Sequence, residues 1–205
     1  MRRSLAISAA AVALTLPAFA DAAPRQIDVG DDFFAPKRTA RSFSTGPSFR
    51  WTNGGGTLNP HNIRQDDKLF SSGALTDGPI NFAINASAGS YPYYCTSHGT
   101  PSPQLGMTGV VKVRPIAETD SLIGEIEVRW ADSNTNTGSR YDVRYRVDQR
   151  RWKTWKNDTP RFHAAFGHND QPVNYRPNRH TYKIKVRSER RRVDKRSDWS
   201  PALAL

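Results

Sequence analysis

The chain is sparing with sulfur and imidazole: it has one cysteine, two methionines and five histidines in 205 residues. A single cysteine, Cys95, rules out an intrachain disulfide, so no covalent staple holds this fold. Apart from the segment Leu5 to Leu16 there is no long hydrophobic run, and that segment is too short to span a bilayer comfortably. No repeat of solenoid period and no long low-complexity tract is present. The histidines form no close His-x-His pairs, which excludes the clustered pairs expected of a multicopper oxidase acting alone.

The N-terminus carries the signs of a targeting segment. Arg2 and Arg3 form a basic start, the apolar run follows, and small residues at Ala18 to Ala20 precede a cleavage point before Asp21. Residues 1–20 are therefore expected to be a signal peptide, and the mature protein exported to a periplasmic or extracellular space without a membrane span. The paired arginines leave general secretion and twin-arginine export both open. An exported chain usually spends its cysteines in pairs. A lone one is expected to be buried, reactive or bound to metal.

Turn residues recur throughout, with 14 glycines and 14 prolines. Between them lie short alternating segments. "SFRWTNGGG" reads as a strand running into a glycine-rich loop, and "INFAINA" places Ile80, Phe82 and Ile84 on one face. "YPYYC" and "TGVVKV" are further strands, and after "RPIAETD" the pattern resumes in "GEIEVRW", "RYDVRYRV" and "TYKIKVRS". Strands of this length bounded by Gly, Asn, Asp and Ser predict an all-β protein of β-sandwiches. The proline after the "TGVVKV" strand marks an expected domain boundary near Arg114 to Asp120.

Charge divides along the same line. The formal net charge is +11, and residues 116–205 hold nineteen Lys/Arg against twelve Asp/Glu, whereas residues 21–115 hold nine against seven. A basic second half fits docking to an acidic partner protein, an anionic polymer or an anionic membrane surface. Export argues against nucleic acid. The run "SERRRVDKR", Ser188 to Arg196, reads either as a solvated loop or as such a docking patch.

In the first half, the metal-capable soft and imidazole side chains are His61, Cys95, His98 and Met107, with none left over. Two imidazoles and a thiolate with a weak thioether make the ligand set of electron-transfer copper. Cys95 closes a strand, His98 follows in the turn and Met107 opens the next strand, so one loop supplies three donors. His61 comes from the separate loop "NPHNI". A Cys–His nucleophile would need a base and an oxyanion site, for which no motif is present. A zinc site would lack a fourth strong ligand. Tyr91, Tyr93 and Tyr94 serve either core packing or an electron path.

"WTNGGGTLNPHNIRQDDKLFSSG" followed by "YPYYCTSHG" and "GMTGVVKV" resembles the plastocyanin-like cupredoxins, the small blue copper proteins. The resemblance covers about residues 24–115. It implies a Greek-key β-sandwich with one type 1 copper held by His61, Cys95, His98 and Met107, and Asn62 stiffening the site by hydrogen bonding. The chain departs from the pattern in "GTPSPQLG": eight residues separate His98 from Met107, where the best-known members have three or four. Gln104 is therefore an alternative axial ligand. "GEIEVRWADS", "YDVRYRV", "TYKIKVRS" and "SDWSP" resemble a fibronectin type III domain over about residues 119–203, with Trp130 and Tyr182 in its core. That resemblance implies an immunoglobulin-like binding or spacer module without a catalytic site.

The expectation is thus an exported one-electron carrier, not an enzyme, with a copper domain and a second β-sandwich. A copper chaperone or store, and a metal-free adhesion scaffold, are the alternatives.

Overall fold

The computed structural model describes residues 23–43, 47–101, 103–120, 125–167, 174–190 and 195–205. The expected signal peptide, His168 and part of the basic run (191–194) lie outside the described residues. The chain is all-β. In chain order the strands are β1 (Arg25–Gly30), β2 (Phe33–Ala35), β3 (Arg38–Ser42), β4 (Ser48–Thr52), β5 (Arg64–Gln65), β6 (Asn81–Asn85), β7 (Gly89–Thr100) and β8 (Leu105–Arg114). There follow β9 (Ile116–Asp120), β10 (Glu125–Arg129), β11 (Arg140–Val147), β12 (Lys153–Thr159), β13 (His163–Phe166), β14 (Tyr182–Arg190), β15 (Lys195–Arg196) and β16 (Leu203–Ala204). Among the described residues no helix is long and apolar enough to cross a membrane.

The first eight strands form two sheets, in the orders β2-β1-β4-β6 and β3-β8-β7-β5. Their period-two patterns explain why they stack. In β4, Phe49 and Trp51 are buried while the residues between them are half-buried; in β7, Tyr91, Tyr93 and Cys95 alternate in the same way. Residues from both sheets meet in one core, with Ile27, Phe34, Trp51 and Ile84 from one side and Tyr93, Cys95, Met107 and Val111 from the other. Trp51 and Tyr93 pack edge to face across this core at 5.2 Å. Two pairings are parallel, β1 with β4 and β3 with β8. They tie early strands to later ones across the intervening hairpins.

The remaining strands form the sheets β13-β10-β9 and β12-β11-β14-β15, with β16 beside β14. Ile126, Val128, Tyr141, Val143, Phe166, Tyr182, Ile184 and Val186 make a second core. The charged residues of β14 (Lys183, Lys185, Arg187) point to the opposite face of their sheet, as alternation requires. Trp130 is fully buried, and its indole Nε1 donates to the Arg161 carbonyl at 2.8 Å.

No free linker joins the two cores. Arg114 ends β8, Pro115 is buried, and Ile116 already begins β9. The contact between them is polar and specific. Ala88 N–H donates to Trp130 O at 2.7 Å, Asn136 N–H to Asn85 O at 2.9 Å, and Ser90 and Asp198 exchange two backbone bonds. At the centre the fully buried Tyr91 hydroxyl meets Ser87 Oγ at 2.9 Å, Thr137 Oγ1 at 3.2 Å and Ser188 Oγ at 2.8 Å. Tyr91 belongs to the strand that carries Cys95, so the second sandwich buttresses that strand directly.

Candidate metal centre

The β7–β8 hairpin builds most of the site. Its ladder is regular from Gly89↔Val113 to Tyr94↔Thr108, then breaks, and resumes at Gly99↔Gly106 and Thr100↔Leu105. Four residues of β7, Cys95 to His98, therefore stand opposite one residue of β8, Met107. A bulge of this kind re-aims side chains out of the regular pleat. It turns the His98 ring back toward Cys95, and Met107, the one residue opposite the bulge, is buried in the same core as Cys95.

Glycines permit the closure. A Cβ at Gly99 would collide with the Met107 carbonyl oxygen, and one at Gly106, where φ is +72°, would collide with the His98 carbonyl oxygen. The residues between them extend as a hairpin tip. The long spacing in "GTPSPQLG" is thus absorbed away from the site, and Met107 returns beside Gly99.

His61 arrives from the loop between β4 and β5. Its backbone is fixed by two hydrogen bonds with Thr76, at 2.8 and 3.0 Å. Its Nδ1 lies 3.6 Å from Cys95 Sγ and 3.1 Å from His98 Nδ1, and His98 Nδ1 lies 3.6 Å from Cys95 Sγ. These three donor atoms form a nearly equilateral triangle. The point equidistant from its corners lies about 2.0 Å from each, close to the ~2.0–2.3 Å at which imidazole nitrogen and thiolate sulfur hold a first-row metal such as zinc. Cys95 is 0% exposed and Met107 1%, whereas the His98 side chain is 25% exposed. The group is therefore closed toward the core and open to solvent only at one imidazole edge.

A second layer holds this triangle. Asn62 Nδ2 donates to the Gly73 carbonyl at 3.1 Å, and Asn62 Oδ1 accepts from Thr96 N–H at 2.9 Å and Thr96 Oγ1 at 3.1 Å. One buried amide thus ties the His61 loop to the residue after Cys95. Asp31, in the β1–β2 turn, accepts from Leu58 N–H at 2.9 Å and Asn59 N–H at 3.3 Å, and its Oδ1 faces His61 Nε2 at 3.6 Å. That last distance is too long for a direct hydrogen bond. His61 Nε2 is buried without a hydrogen-bond partner, and this carboxylate is the acidic group that faces it. Asp32, held at φ +65°, faces His98 Nδ1 at 3.8 Å.

Among the described residues, His61, Cys95 and His98 are the group of His, Cys, Asp and Glu side chains whose donor atoms converge as a metal site would require. Gln104 lies elsewhere. It is exposed on the hairpin tip and lines an open cleft of ≈ 550 Å³ with Asp66, Asp67 and Asp198. His163 and His180 each pair with a carboxylate, Glu127 at 3.2 Å and Asp148 at 3.0 Å. Asp31 and Asp32 carry no sequence motif that marks them as site residues. Their only signal was "GDD" at a strand end, which reads as a turn.

Comparison of the chain with models of protein families finds no match, and comparison with curated proteins finds none either.

Proposed function

We propose that this chain is a type 1 copper protein of cupredoxin-like architecture that carries single electrons and catalyses no reaction of its own. The observation that carries the reading is the triangle of Cys95 Sγ, His61 Nδ1 and His98 Nδ1, with edges of 3.6, 3.6 and 3.1 Å. Cys95, His61 and His98 would hold copper in either oxidation state through a thiolate and two imidazoles, and the Met107 thioether, buried in the same core, would be the weak axial donor that the cupredoxin resemblance implies. Met107 is favoured over Gln104 in that role because it is buried with Cys95, while Gln104 is exposed beside Asp66.

Bound copper would supply one-electron cycling between its Cu(I) and Cu(II) states. The residues of this chain supply the rest. Cys95 and Met107 keep water from the inner side of the group, Asn62 and Thr96 keep the two loops in register, and Asp31 fixes the segment that delivers His61. The partly exposed His98 edge is the shortest route for an electron between the group and a partner. The hydrogen bonds of Asn62 and Thr76 fix both ligand loops, which suits a carrier whose ligands keep one arrangement in both oxidation states. The second, fibronectin-like sandwich would place the carrier against an acidic partner or an anionic surface, in the exported compartment that the N-terminal segment suggests.

Voltammetry of the copper-loaded chain tests this reading. A carrier gives one reversible one-electron wave and keeps its copper against a competing chelator. Ready loss of copper to the chelator without a reversible wave supports the chaperone or store instead, and a chain that retains no copper supports the scaffold.

A further inference from the structure

The outer face of the β11–β14 pair carries a charge arrangement that the fold itself does not neutralise. Arg144 stands directly opposite Lys185, and Arg146 directly opposite Lys183. Like charges opposite one another across strands are destabilising. One step along, the opposition is relieved: Arg187 sits opposite Asp142 and donates to its Oδ2 through Nε at 2.9 Å and through Nη2 at 2.6 Å. Among the described residues no carboxylate pairs with Arg144, Arg146, Lys183 or Lys185. Arg146 Nε is buried with no hydrogen-bond partner.

Two indoles hold these cations in place. Arg144, Lys185 and Arg187 lie over the Trp199 ring at 4.6, 5.0 and 4.9 Å. Lys185 and Arg146 lie over the Trp152 ring at 4.5 and 5.0 Å. Lys185 thus sits between the two rings, and its ammonium is driven below its ordinary value by burial and then by Arg144 and Arg146. Cation–π contacts order the row but leave its positive charge intact. Along each strand the cations recur at about 6.7 Å, two residues of extended chain, and the two strands lie about 4.8 Å apart. The result is a fixed strip of positive charge with its side chains already immobilised, which lowers the entropic cost of binding.

We propose that this strip binds a linear anionic polysaccharide, whose sulfate or carboxylate groups are received by Arg144, Arg146, Lys183 and Lys185. Guanidinium forks match such groups bidentately. Other polyanions fit less well. The tryptophan faces are already covered by cations, so no aromatic platform remains for nucleic-acid bases. The exposed large hydrophobic residues among those described (Phe33, Leu58, Leu75, Leu105 and Phe162) are all on other segments, so the apolar groups of this face are the half-buried, cation-covered Trp152 and Trp199, a poor anchor for a protein partner or a bilayer. The site lies on the sheet, not in the basic run that the sequence brings to notice, and the inference does not depend on copper.

The test is binding of the full chain to dextran sulfate, with unsulfated dextran, poly-glutamate, a single-stranded oligodeoxynucleotide and phosphatidylserine vesicles as comparison arms. Dextran sulfate should bind more tightly than every other arm at equal charge concentration, and weaken steeply with added salt. The Arg144→Gln/Arg146→Gln/Lys185→Gln variant should lose at least tenfold in affinity. A far-ultraviolet circular dichroism spectrum and a cooperative thermal transition like the parent's show that it folds. A control variant, Lys37→Gln/Arg38→Gln, should bind as the parent does. Undiminished binding by the triple variant, no binding at low salt, or tighter binding to any comparison arm would overturn the proposal.

Discussion

Asp31 Oδ1 stands 3.6 Å from His61 Nε2, on the ring edge away from Cys95, and the same carboxylate oxygen accepts from the backbone of Leu58 and Asn59. One side chain thus both positions the loop that carries His61 and places a negative charge behind its imidazole. Asp31→Asn separates these roles, because the amide oxygen can still accept the two backbone bonds. In the copper-loaded protein the reduction potential should rise, since a nearby negative charge favours the more highly charged oxidation state. At the effective dielectric of a partly exposed site the change is about 1 kcal/mol, roughly 40 mV for one electron. Voltammetry of the variant checks this. An unchanged potential would mean that the carboxylate only positions the loop.

Asn62 should prove a stability residue even without metal. It is buried and makes three hydrogen bonds, to Gly73 and to both donors of Thr96. Asn62→Ala leaves those groups without their partner and should cost about 2 kcal/mol. Urea denaturation of the metal-free chain measures it. A metal-binding role alone would predict no loss there.

Tyr91→Phe tests whether the two cores unfold together. The substitution removes the hydroxyl that joins Ser188 of the second half to Ser87 of the first, while Ser87 and Thr137 stay bonded to each other directly. It should destabilise the chain by about 1–3 kcal/mol, the cost of orphaning buried polar groups. The parent should show coincident transitions by tryptophan fluorescence and far-ultraviolet circular dichroism. In the variant the two probes should separate.

Much of this arrangement was legible in the sequence, and the reasons are specific. The alternation in "YPYYC" and "TYKIKVRS" is reproduced as buried and half-buried positions in β7 and β14. Scarcity picked out Cys95, His61 and His98, because few other side chains could serve, and their donor atoms do converge. The bulge that puts Met107 opposite Cys95–His98 was not legible, because it depends on pairing register, which "GTPSPQLG" alone does not specify. Asp31 escaped notice because it lies thirty residues before His61 and reaches it only through the β1–β2 turn. The segment Arg114 to Asp120 reads as a boundary because it holds a proline, yet the pairing of β9 with β10 makes most of it strand.

Asp66 provides a pH-dependent stability term. Its carboxyl is pushed up from 3.8 to about 6, first by burial, against a lowering hydrogen bond from Gln104, with Asp198 and Asp67 adding to the rise. The folded state therefore holds this proton more tightly than the unfolded chain. Its contribution to stability is full below pH 3.8 and is lost as pH rises through about 6. Asp66→Asn, which cannot ionise, should gain stability over the parent at pH 7 and gain none near pH 3.5. The gain should be about 1 kcal/mol, limited by solvent screening of a partly exposed group. Thermal denaturation across this range checks the sign.

The central claim is that Cys95, His61 and His98 bind copper as a thiolate-ligated type 1 site. The visible absorption spectrum of the chain loaded with one equivalent of Cu(II), beside that of Cys95→Ser, tests it most directly. The account predicts an intense blue thiolate-to-copper band in the parent and none in the variant, with the far-ultraviolet circular dichroism of the two alike. A colourless parent under oxidising, copper-replete conditions, or a band that survives in Cys95→Ser, would contradict it.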